Sequence, residues 1–387
     1  MKRSRTSRRS GTPRDTDDLL WLANGLAASG SRAEDTFWEQ RLNAAVDELL
    51  QSDSEELLSS TLDQLNETQQ PAYDVLADAI ETRSEQHTGK RGEILLIAAP
   101  ILAWSRFTIP ATKLPPSLIA DLRVHLQAHI LAKDVKLGIA NMLFSPDQLP
   151  QGYCDTAHFA EQMTDATLNE GVLLFDPANL PETSRFLSDL RYVLAAVHVQ
   201  PGAPIFRWQE EGGSREQAAE QWQKQGGACL APLLAGCAME TVLPDAYFSA
   251  CRAADRASRA YSIRASVAFL STTLEVEPAE LRAIVAPFYE NEIEEFRIGF
   301  TTLKSNAVVH GLVWPLLGPE DDAADVPAQI DTALKENGIT RIEHIDNRFQ
   351  LEYCDDCGAP MYPSPEGEVV HAELPEDKAE QVPKHLH

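Results

Sequence analysis

The fold depends on one stretch of the sequence, ILLIAAPILAW (Ile94–Trp104), which contains no charged residue. Strands that are buried on both faces have such continuous apolar runs, whereas strands with one solvated face alternate between apolar and polar residues. The run is about half as long as a membrane-spanning helix and contains Pro100, so we interpret it as a buried strand of a soluble protein. We expect the rest of the fold to build outward from this strand.

Helical and apolar segments alternate after this strand. Pro116–Ala132 carries apolar residues at helical spacing, and Lys136–Ser145 is a second apolar run. The predicted order is strand, helix, strand, helix, strand, strand. The last three elements are a helix over His158–Leu168 and strands over Gly171–Phe175 and Tyr192–Val199.

A second part of the chain, residues 228–316, shows a similar order of patterns. Its segment APLLA (Ala231–Ala235) matches APILA (Ala99–Ala103) inside the first apolar run. We therefore expect an internal duplication, with one larger α+β sheet as the alternative. The elements predicted for this part are strand Cys229–Met239, helix Asp245–Arg259, strand Ile263–Thr272, helix Pro278–Glu290, and strands Phe296–Thr302 and Ala307–Leu317.

The predicted fold class is α+β. A helical region precedes two tandem sheet-and-helix units, and each unit is expected to be an antiparallel sheet with both helices on one face, as in ferredoxin-like (split β-α-β) folds. The expected organisation is a disordered basic arm (1–14), a helical region (15–90), a first α+β unit (91–205), a linker (206–227), a second α+β unit (228–353), and a cysteine knuckle with an acidic tail (354–387).

The formal net charge of −26 is unevenly distributed along the chain. Residues 1–14 contain six basic and no acidic residues, whereas residues 15–90 contain 17 acidic and four basic residues. The acidic body should repel nucleic acids and anionic membranes, so the basic arm is the one segment suited to a nucleic-acid partner. No secretory signal follows the arm, and the isolated cysteines are typical of reduced core residues, so we expect a cytoplasmic protein.

The motif CDDCG (Cys354–Gly358) has the spacing of a metal-binding knuckle. Two thiolates in this motif can bind one ion, and His371 follows at a spacing near that of zinc ribbons. The sequence therefore predicts a structural zinc site with Cys354, Cys357 and His371 as ligands.

The sequence does not identify a fourth ligand for this site. The candidates are a water molecule, His344, Glu373, His385 and His387. The alternative interpretation is a knuckle without metal, with two free thiols or a labile disulfide. A thioredoxin-like function is disfavoured, because the pair follows a strand and because the adjacent aspartates are expected to raise the thiol pKa values.

A second candidate site lies where the first long strand ends. Ser105 and Arg106 follow that strand, and a hydroxyl beside an arginine can bind an anionic group of a ligand. Asp147, in the motif SPDQLP (Ser145–Pro150), is the third candidate ligand-binding residue. The alternative is that Arg106 is solvated or pairs with a neighbouring acid and that Asp147 stabilises a turn.

Three motifs resemble those of a bacterial family catalogued as domain of unknown function 2863. They are WSR (104–106) with IP (109–110), the SPDQLP motif, and Leu351–Asp377, which contains the cysteine pair and His371. Because these motifs are spread over most of the chain, the similarity is expected to cover its full length. The resemblance implies a bacterial cytoplasmic protein and assigns no role to any residue.

No complete catalytic signature is present, such as a phosphate loop, a dinucleotide-binding fingerprint or a nucleophile elbow. We therefore expect a non-enzymatic binding or regulatory module with an unidentified protein or small-molecule partner. One alternative is a nucleic-acid- or ribosome-associated protein that uses the basic arm and the zinc knuckle. The other is an enzyme with its site in the cleft between the two α+β units.

Overall fold

The computed structural model describes residues 13–318 and 325–379. The helices are α1 (Pro13–Ala27), α2 (Arg32–Gln51), α3 (Glu55–Thr68), α4 (Gln70–Glu85), α5 (Pro116–His129), α6 (Tyr153–Leu168), α7 (Arg215–Gln221), α8 (Tyr247–Leu274), α9 (Val326–Glu336) and α10 (Glu376–Ala379). None of these helices combines the length and the apolarity that crossing a bilayer requires. Residues 1–12 of the expected basic arm and residues 380–387 of the expected acidic tail lie outside the described residues.

The strands form two main sheets and one small hairpin. They are β1 (Gln86–Gly89), β2 (Gly92–Trp104), β3 (Leu137–Phe144), β4 (Val172–Leu173), β5 (Ser188–Val199), β6 (Ala238–Thr241), β7 (Asp245–Ala246), β8 (Leu281–Tyr289), β9 (Ile293–Thr302), β10 (Ser305–Pro315), β11 (Arg341–His344), β12 (Phe349–Gln350), β13 (Tyr362–Pro363) and β14 (Val369–Val370).

Helices α1 to α4 pack against one another around their own apolar core, in which Leu42 and Leu58 are fully buried. Ser31 caps α2, because its hydroxyl accepts a hydrogen bond from the backbone N–H of Glu34 at 3.3 Å. Such a cap satisfies a donor that has no partner inside the helix. Helices α1 to α4 occupy most of the region that the sequence predicts to be helical, residues 15–90, and β1 occupies residues 86–89 at its end.

The apolar run that opens the sequence analysis forms β2 of a seven-stranded sheet. The main strand order is β1-β2-β5-β3-β4, and β6 and β7 also pair with β2. Neighbouring residues of β2 belong to different cores. Ile97 belongs to an apolar core shared with α5, whereas Leu96 belongs to a core shared with α6 and α8. The predicted strand, buried on both faces, is confirmed.

The helices of the first unit lie on opposite faces of its sheet, and here the prediction of one helical layer is wrong. Leu122 of α5 packs in the core with Ile97, and Met163 of α6 packs in the core with Leu96. Both faces of β2 are apolar, so each face must be covered to keep apolar surface from water. The individual helices and strands predicted for this unit are confirmed as α5, β3, α6, β4 and β5.

The second part of the chain departs most from the prediction. The predicted strand Ile263–Thr272 lies within α8, a helix of 28 residues that also contains most of the predicted helix Asp245–Arg259. The buried residues of α8 are divided between the cores of both sheets. A helix that is apolar on several sides loses its 3.6-residue periodicity, which is why part of α8 resembles an alternating strand in sequence.

Two further predictions exchange helix and strand. The predicted helix Pro278–Glu290 begins with one 3₁₀ turn, Pro278–Glu280, and continues as β8. The predicted strand Cys229–Met239 consists largely of a 3₁₀ turn and further turns, and β6 begins only at Ala238. The APLLA segment is therefore not a strand, although the matching APILA segment is. Short apolar runs suit both states, and tertiary contacts decide between them.

The second sheet has the strand order β10-β9-β8-β11, with β12 also paired to β8. β8, β9 and β10 are antiparallel neighbours, whereas β11 and β12 run parallel to β8. This order differs from that of the first sheet, so the predicted ferredoxin-like duplication is not confirmed. The predicted strands Phe296–Thr302 and Ala307–Leu317 correspond to β9 and β10.

Residues 206–227, which the sequence predicts to be a linker, contain α7 and contribute to the first core. Phe206 and Trp222 from this segment are buried in the core shared with α5 and β2. The segment therefore covers one face of the first sheet.

Helix α4 supplies the cap that α8 lacks. The residue preceding α8, Ala246, has no side chain that can cap it, and the carboxylate of Glu85 accepts a hydrogen bond from the N–H of Phe248 at 3.1 Å. Beside it, Glu81 accepts a hydrogen bond from Arg252 at 2.6 Å. Burial raises the pKa of Glu85 to about 7, against the opposing effect of the Phe248 hydrogen bond. The helical region is thereby joined to α8 through a buried carboxyl group.

Candidate metal centre

A short ribbon, residues 353–372, follows the second sheet and carries the cysteine knuckle. The knuckle is closed by backbone hydrogen bonds, from the N–H of Cys354 to the oxygen of Ala359 at 2.7 Å and from the N–H of Gly358 to the oxygen of Cys354 at 2.8 Å. Gly358 has a φ of +72°, a backbone conformation that glycine adopts without strain. The glycine after the second cysteine is thus the residue that allows the turn.

The ribbon brings together the three residues that the sequence predicts as ligands. One ligand atom from each of Cys354, Cys357 and His371 lies within 4.8 Å of the others, and the sulfur of Cys357 is 3.3 Å from Nε2 of His371. The antiparallel pairing of Tyr362 with Val370 in the β13–β14 hairpin returns the chain to the knuckle. These three groups could hold a metal ion.

Backbone amides favour the thiolate form of Cys354. Its pKa lies below its ordinary value because the N–H groups of Asp356 and Cys357 donate hydrogen bonds to its sulfur. The Asp356 carboxylate acts in the opposite direction, as the sequence suggests, but with a smaller effect. The predicted effect of the adjacent aspartates is thus present for Asp356, but the backbone hydrogen bonds outweigh it at Cys354.

The carboxylate of Glu373 lies beside the imidazole of His371, although in the described part of the chain Nδ1 of His371 makes no hydrogen bond. This carboxylate lies 3.3 Å from Nδ1 of His371, on the opposite side of the ring from the nitrogen that faces Cys357. In metal sites, a carboxylate on the second ring nitrogen fixes the tautomer and the direction of the ligating nitrogen. Glu373 therefore occupies the position of a supporting carboxylate.

The other candidates for a fourth ligand are placed as follows. His344 lies on β11 and contacts the carboxylate of Asp331 on α9 at 2.7 Å. His385 and His387 lie outside the described residues. Within residues 13–318 and 325–379, the cluster therefore offers three ligands.

Buried Arg297 of β9 holds the ribbon against the second sheet. Its side chain is 0% exposed and donates hydrogen bonds to the backbone oxygens of Glu352 at 2.6 Å and Met361 at 2.9 Å. A further hydrogen bond and ion pair joins it to Glu295 at 2.6 Å. The two ends of the knuckle are thus attached to the sheet by one guanidinium group.

Two glycines in the strands make room for the ribbon. A Cβ atom at Gly311 would lie well under 3.0 Å from the ring of Tyr362, and one at Gly299 would lie well under 3.0 Å from the oxygen of Pro363. Glycine inside a strand often marks such a close approach. Our sequence analysis missed these glycines and Arg297, although strand glycines and an acid-x-Arg pattern (Glu295–Arg297) are visible in it.

In the second candidate site, Ser105 and Asp147 make hydrogen bonds that hold loops in place. The hydroxyl of Ser105 donates to the oxygen of Gly236 at 3.2 Å and accepts from the N–H of Phe107 at 3.1 Å. Asp147 accepts a hydrogen bond from the N–H of Ser184 at 2.8 Å. Arg106 is half-buried beside Ser105. Ser105 and Asp147 therefore each stabilise a different loop. For Asp147 this agrees with the alternative interpretation, in which its side chain stabilises a turn.

Arg191 is a residue of this region that the sequence analysis missed. It is 1% exposed and donates hydrogen bonds to the backbone oxygens of Pro110 at 2.8 Å and Ile109 at 2.7 Å. It also pairs with Asp189 at 2.5 Å. The Ile109–Pro110 motif is therefore held by a buried arginine of β5, the third strand after it in the sequence.

A cavity of about 720 Å³ lies between α8 and α9 at the end of β10. Ser105, Arg106 and Asp147 do not line it. Its walls include Arg256, Arg259, Trp314, Gln329 and Glu336.

A family model described as "Protein of unknown function (DUF2863)" matches residues 4–385. The match covers essentially the whole chain, as the three motifs predicted. No curated protein and no solved structure matches the chain.

Proposed function

Because the chain belongs to this family, whose description names no activity, we propose a function from its residues: a non-enzymatic, zinc-binding module. The observation that carries this proposal is the convergence of Cys354, Cys357 and His371 within 4.8 Å. Thiolate and imidazole ligands together favour zinc among the metal ions common in cells. The carboxylate of Glu373 on the far nitrogen of His371 supports the same assignment.

A non-enzymatic role is favoured by the contacts of the other candidate residues. Ser105 and Asp147 form hydrogen bonds that stabilise loops, and neither lines the cavity beside α8. A cytoplasmic location agrees with six cysteines that are not joined in disulfides, because thiols stay reduced there. The zinc site would then bind or present a partner rather than turn over a substrate.

Metal analysis of the full chain tests this proposal. Natively purified protein should contain about one zinc per chain, and Cys354→Ser should lose it. Cys229→Ser is the matched control, because it makes the same atomic change at a half-buried position that packs against the core shared by α5 and β2. A folded wild-type protein that neither contains zinc nor takes it up would contradict the proposal.

A further inference from the structure

The inference concerns the state of the metal centre and rests on the proposed function. Structural zinc sites have four protein ligands, whereas sites that react or exchange keep one position open. The cluster has three ligands in the described part of the chain, with Glu373 placed on the outer nitrogen of His371. The number of ligands therefore points away from a closed structural site.

The ribbon is held without any contribution from a metal. Arg297 binds both ends of the knuckle through Glu352 and Met361, and Tyr362 is fully buried against Gly311. Backbone hydrogen bonds close the turn itself. In small zinc fingers, by contrast, the fold forms only when the metal binds. The ligands are thus arranged before a metal binds.

The site faces solvent and has a negative surround. Cys357 is exposed, and Cys354 and His371 are half-buried. A zinc ion with two thiolates and one imidazole has no net charge, and the nearby carboxylates are Asp355 and Asp356, both exposed, with Glu373. Like charges repel, so an anionic fourth ligand is disfavoured relative to a neutral one.

We propose that Cys354, Cys357 and His371 form a preformed, exchangeable metal centre whose open fourth position accepts a neutral nitrogen donor, such as an imidazole group. Such a ligand is available on the histidine side chain of a partner protein. The centre would then bind partners through the metal, without a change of fold.

Cobalt(II) substitution of the full chain tests the open position, because the visible spectrum of cobalt(II) reports its coordination. Imidazole should change this spectrum in a saturable way. Azide, an anionic probe, should bind more tightly by about fivefold when Asp355→Asn and Asp356→Asn are combined. The affinity for imidazole should stay within about twofold in that double variant, because a neutral ligand is not repelled.

Several results would overturn the inference. A cobalt spectrum that responds neither to imidazole nor to azide shows a filled fourth position, and a response gained only in the combined His385→Ala and His387→Ala variant shows that the chain itself fills it. Equal changes for both ligands in the aspartate variant contradict the role of charge. Failure to bind cobalt or zinc at all contradicts the proposed function instead.

Hydrogen exchange tests whether the site is preformed. After the metal is removed with a chelator, the amides of Cys354 and Gly358 should keep most of their protection, and metal should bind again without a slow folding phase. Complete loss of protection in the metal-free protein would show that the metal builds the ribbon, and the inference would be withdrawn. Arg297→Lys provides the comparison, because it weakens the non-metal attachment.

Discussion

The regions around Arg191 and Arg297 use the same device in the two sheets. Each arginine is buried, pairs with a carboxylate two residues earlier on its own strand, and donates hydrogen bonds to two backbone oxygens of a neighbouring segment. The segment held by Arg191 is the Ile109–Pro110 loop, whereas the segment held by Arg297 carries the metal ligands. The same arrangement of a buried arginine therefore stabilises a loop beside the first sheet and the candidate metal centre beside the second.

The two anchors differ in how completely their donors are used. All three nitrogens of Arg191 have acceptors. In the described part of the chain, Nη2 of Arg297 has none, while its guanidinium lies 4.3 Å from the ring centre of Phe288. Burial raises the pKa of Asp189, although Arg191 opposes this effect. Both pairs therefore depend on the presence of the arginine.

The largest expected effect is the loss of either arginine. Arg191→Met and Arg297→Met should each lower the free energy of unfolding by about 3–5 kcal/mol, because each leaves a buried carboxylate without its partner. Only Arg297→Met should also weaken metal binding by the folded protein. Denaturant unfolding and zinc affinity measure the two effects.

Three further variants serve as controls for this comparison. Arg264→Met removes an exposed arginine paired with Glu240, and we expect a change of less than about 1 kcal/mol. If the methionine variants do not fold, Arg191→Lys and Arg297→Lys replace them, because a lysine keeps the positive charge. Loss of metal binding in both Arg191 and Arg297 variants would contradict the separation of the two regions.

Glu85 differs from Asp189 in its hydrogen-bond donor. Glu85 accepts a hydrogen bond from the backbone N–H of Phe248, whereas Asp189 accepts one from the guanidinium group of Arg191. Its pKa in the folded protein is about 7, above its ordinary value of 4.5, so the folded state binds its proton more tightly than the unfolded state. This contribution is fully present below pH 4.5 and is lost as the pH rises to about 7.

Glu85→Gln should remove this loss of stability with rising pH. We expect the variant to approach wild-type stability below pH 4.5 and to be more stable than wild type above pH 7, by up to about 3 kcal/mol. Urea unfolding at a series of pH values measures the difference. Two parallel stability curves over that range would show that Glu85 titrates alike in both states.

Gly311→Ala tests the close approach of the ribbon to the second sheet. The added methyl group would meet the ring of Tyr362, so we expect a loss of about 1–3 kcal/mol in stability and weaker zinc binding. Gly171→Ala in the first unit is the control, since its nearest contact would be an ordinary 3.6 Å. Thermal unfolding and zinc titration should separate the two variants, and equal results would contradict the tight docking of Tyr362.

The smallest expected effect concerns Glu373. Glu373→Gln should reduce zinc affinity by about tenfold, because an amide replaces the carboxylate that lies beside Nδ1 of His371 and can support the ligating nitrogen. The stability of the metal-free protein should be unchanged, since Glu373 is exposed. A competition titration with a chelator measures the affinity, and an unchanged value would remove Glu373 from the site.

The sequence predicted the first unit far better than the second. In the first unit, Pro116 begins α5, Gly152 and Gly171 directly precede α6 and β4, and β2 is apolar without interruption from Ile94 to Trp104. In the second, Arg264 is the one exposed residue among residues 263–270 of α8, so this part of the helix lacks the polar face that would identify it as a helix in the sequence. The Pro278–Glu280 turn looks like the start of a helix, but β8 follows because its residues pair with β9.

The metal ligands were predictable because their chemistry is local. Cys354 and Cys357 are two residues apart with a glycine behind them, and His371 follows at a distance typical of zinc ribbons. The residues that support them were not, because Arg297 and Gly311 reach the ribbon across a long interval of sequence. Ser105 and Asp147 were chosen for the chemistry of their side chains, and their hydrogen bonds to loops emerge only from the fold.

The amino-acid sequence alone determined the helical region, the doubly buried strand β2, the excess of acidic charge and the cysteine–histidine motif, because each depends on neighbours within a few residues. Tertiary structure alone decided that α5 and α6 cover opposite faces, that α8 is one long helix between two cores, and that buried arginines fasten the loop and the ribbon. These features depend on which surfaces come into contact. Burial stabilises an apolar segment whether it forms a helix or a strand, so only its contacts in the fold decide between the two.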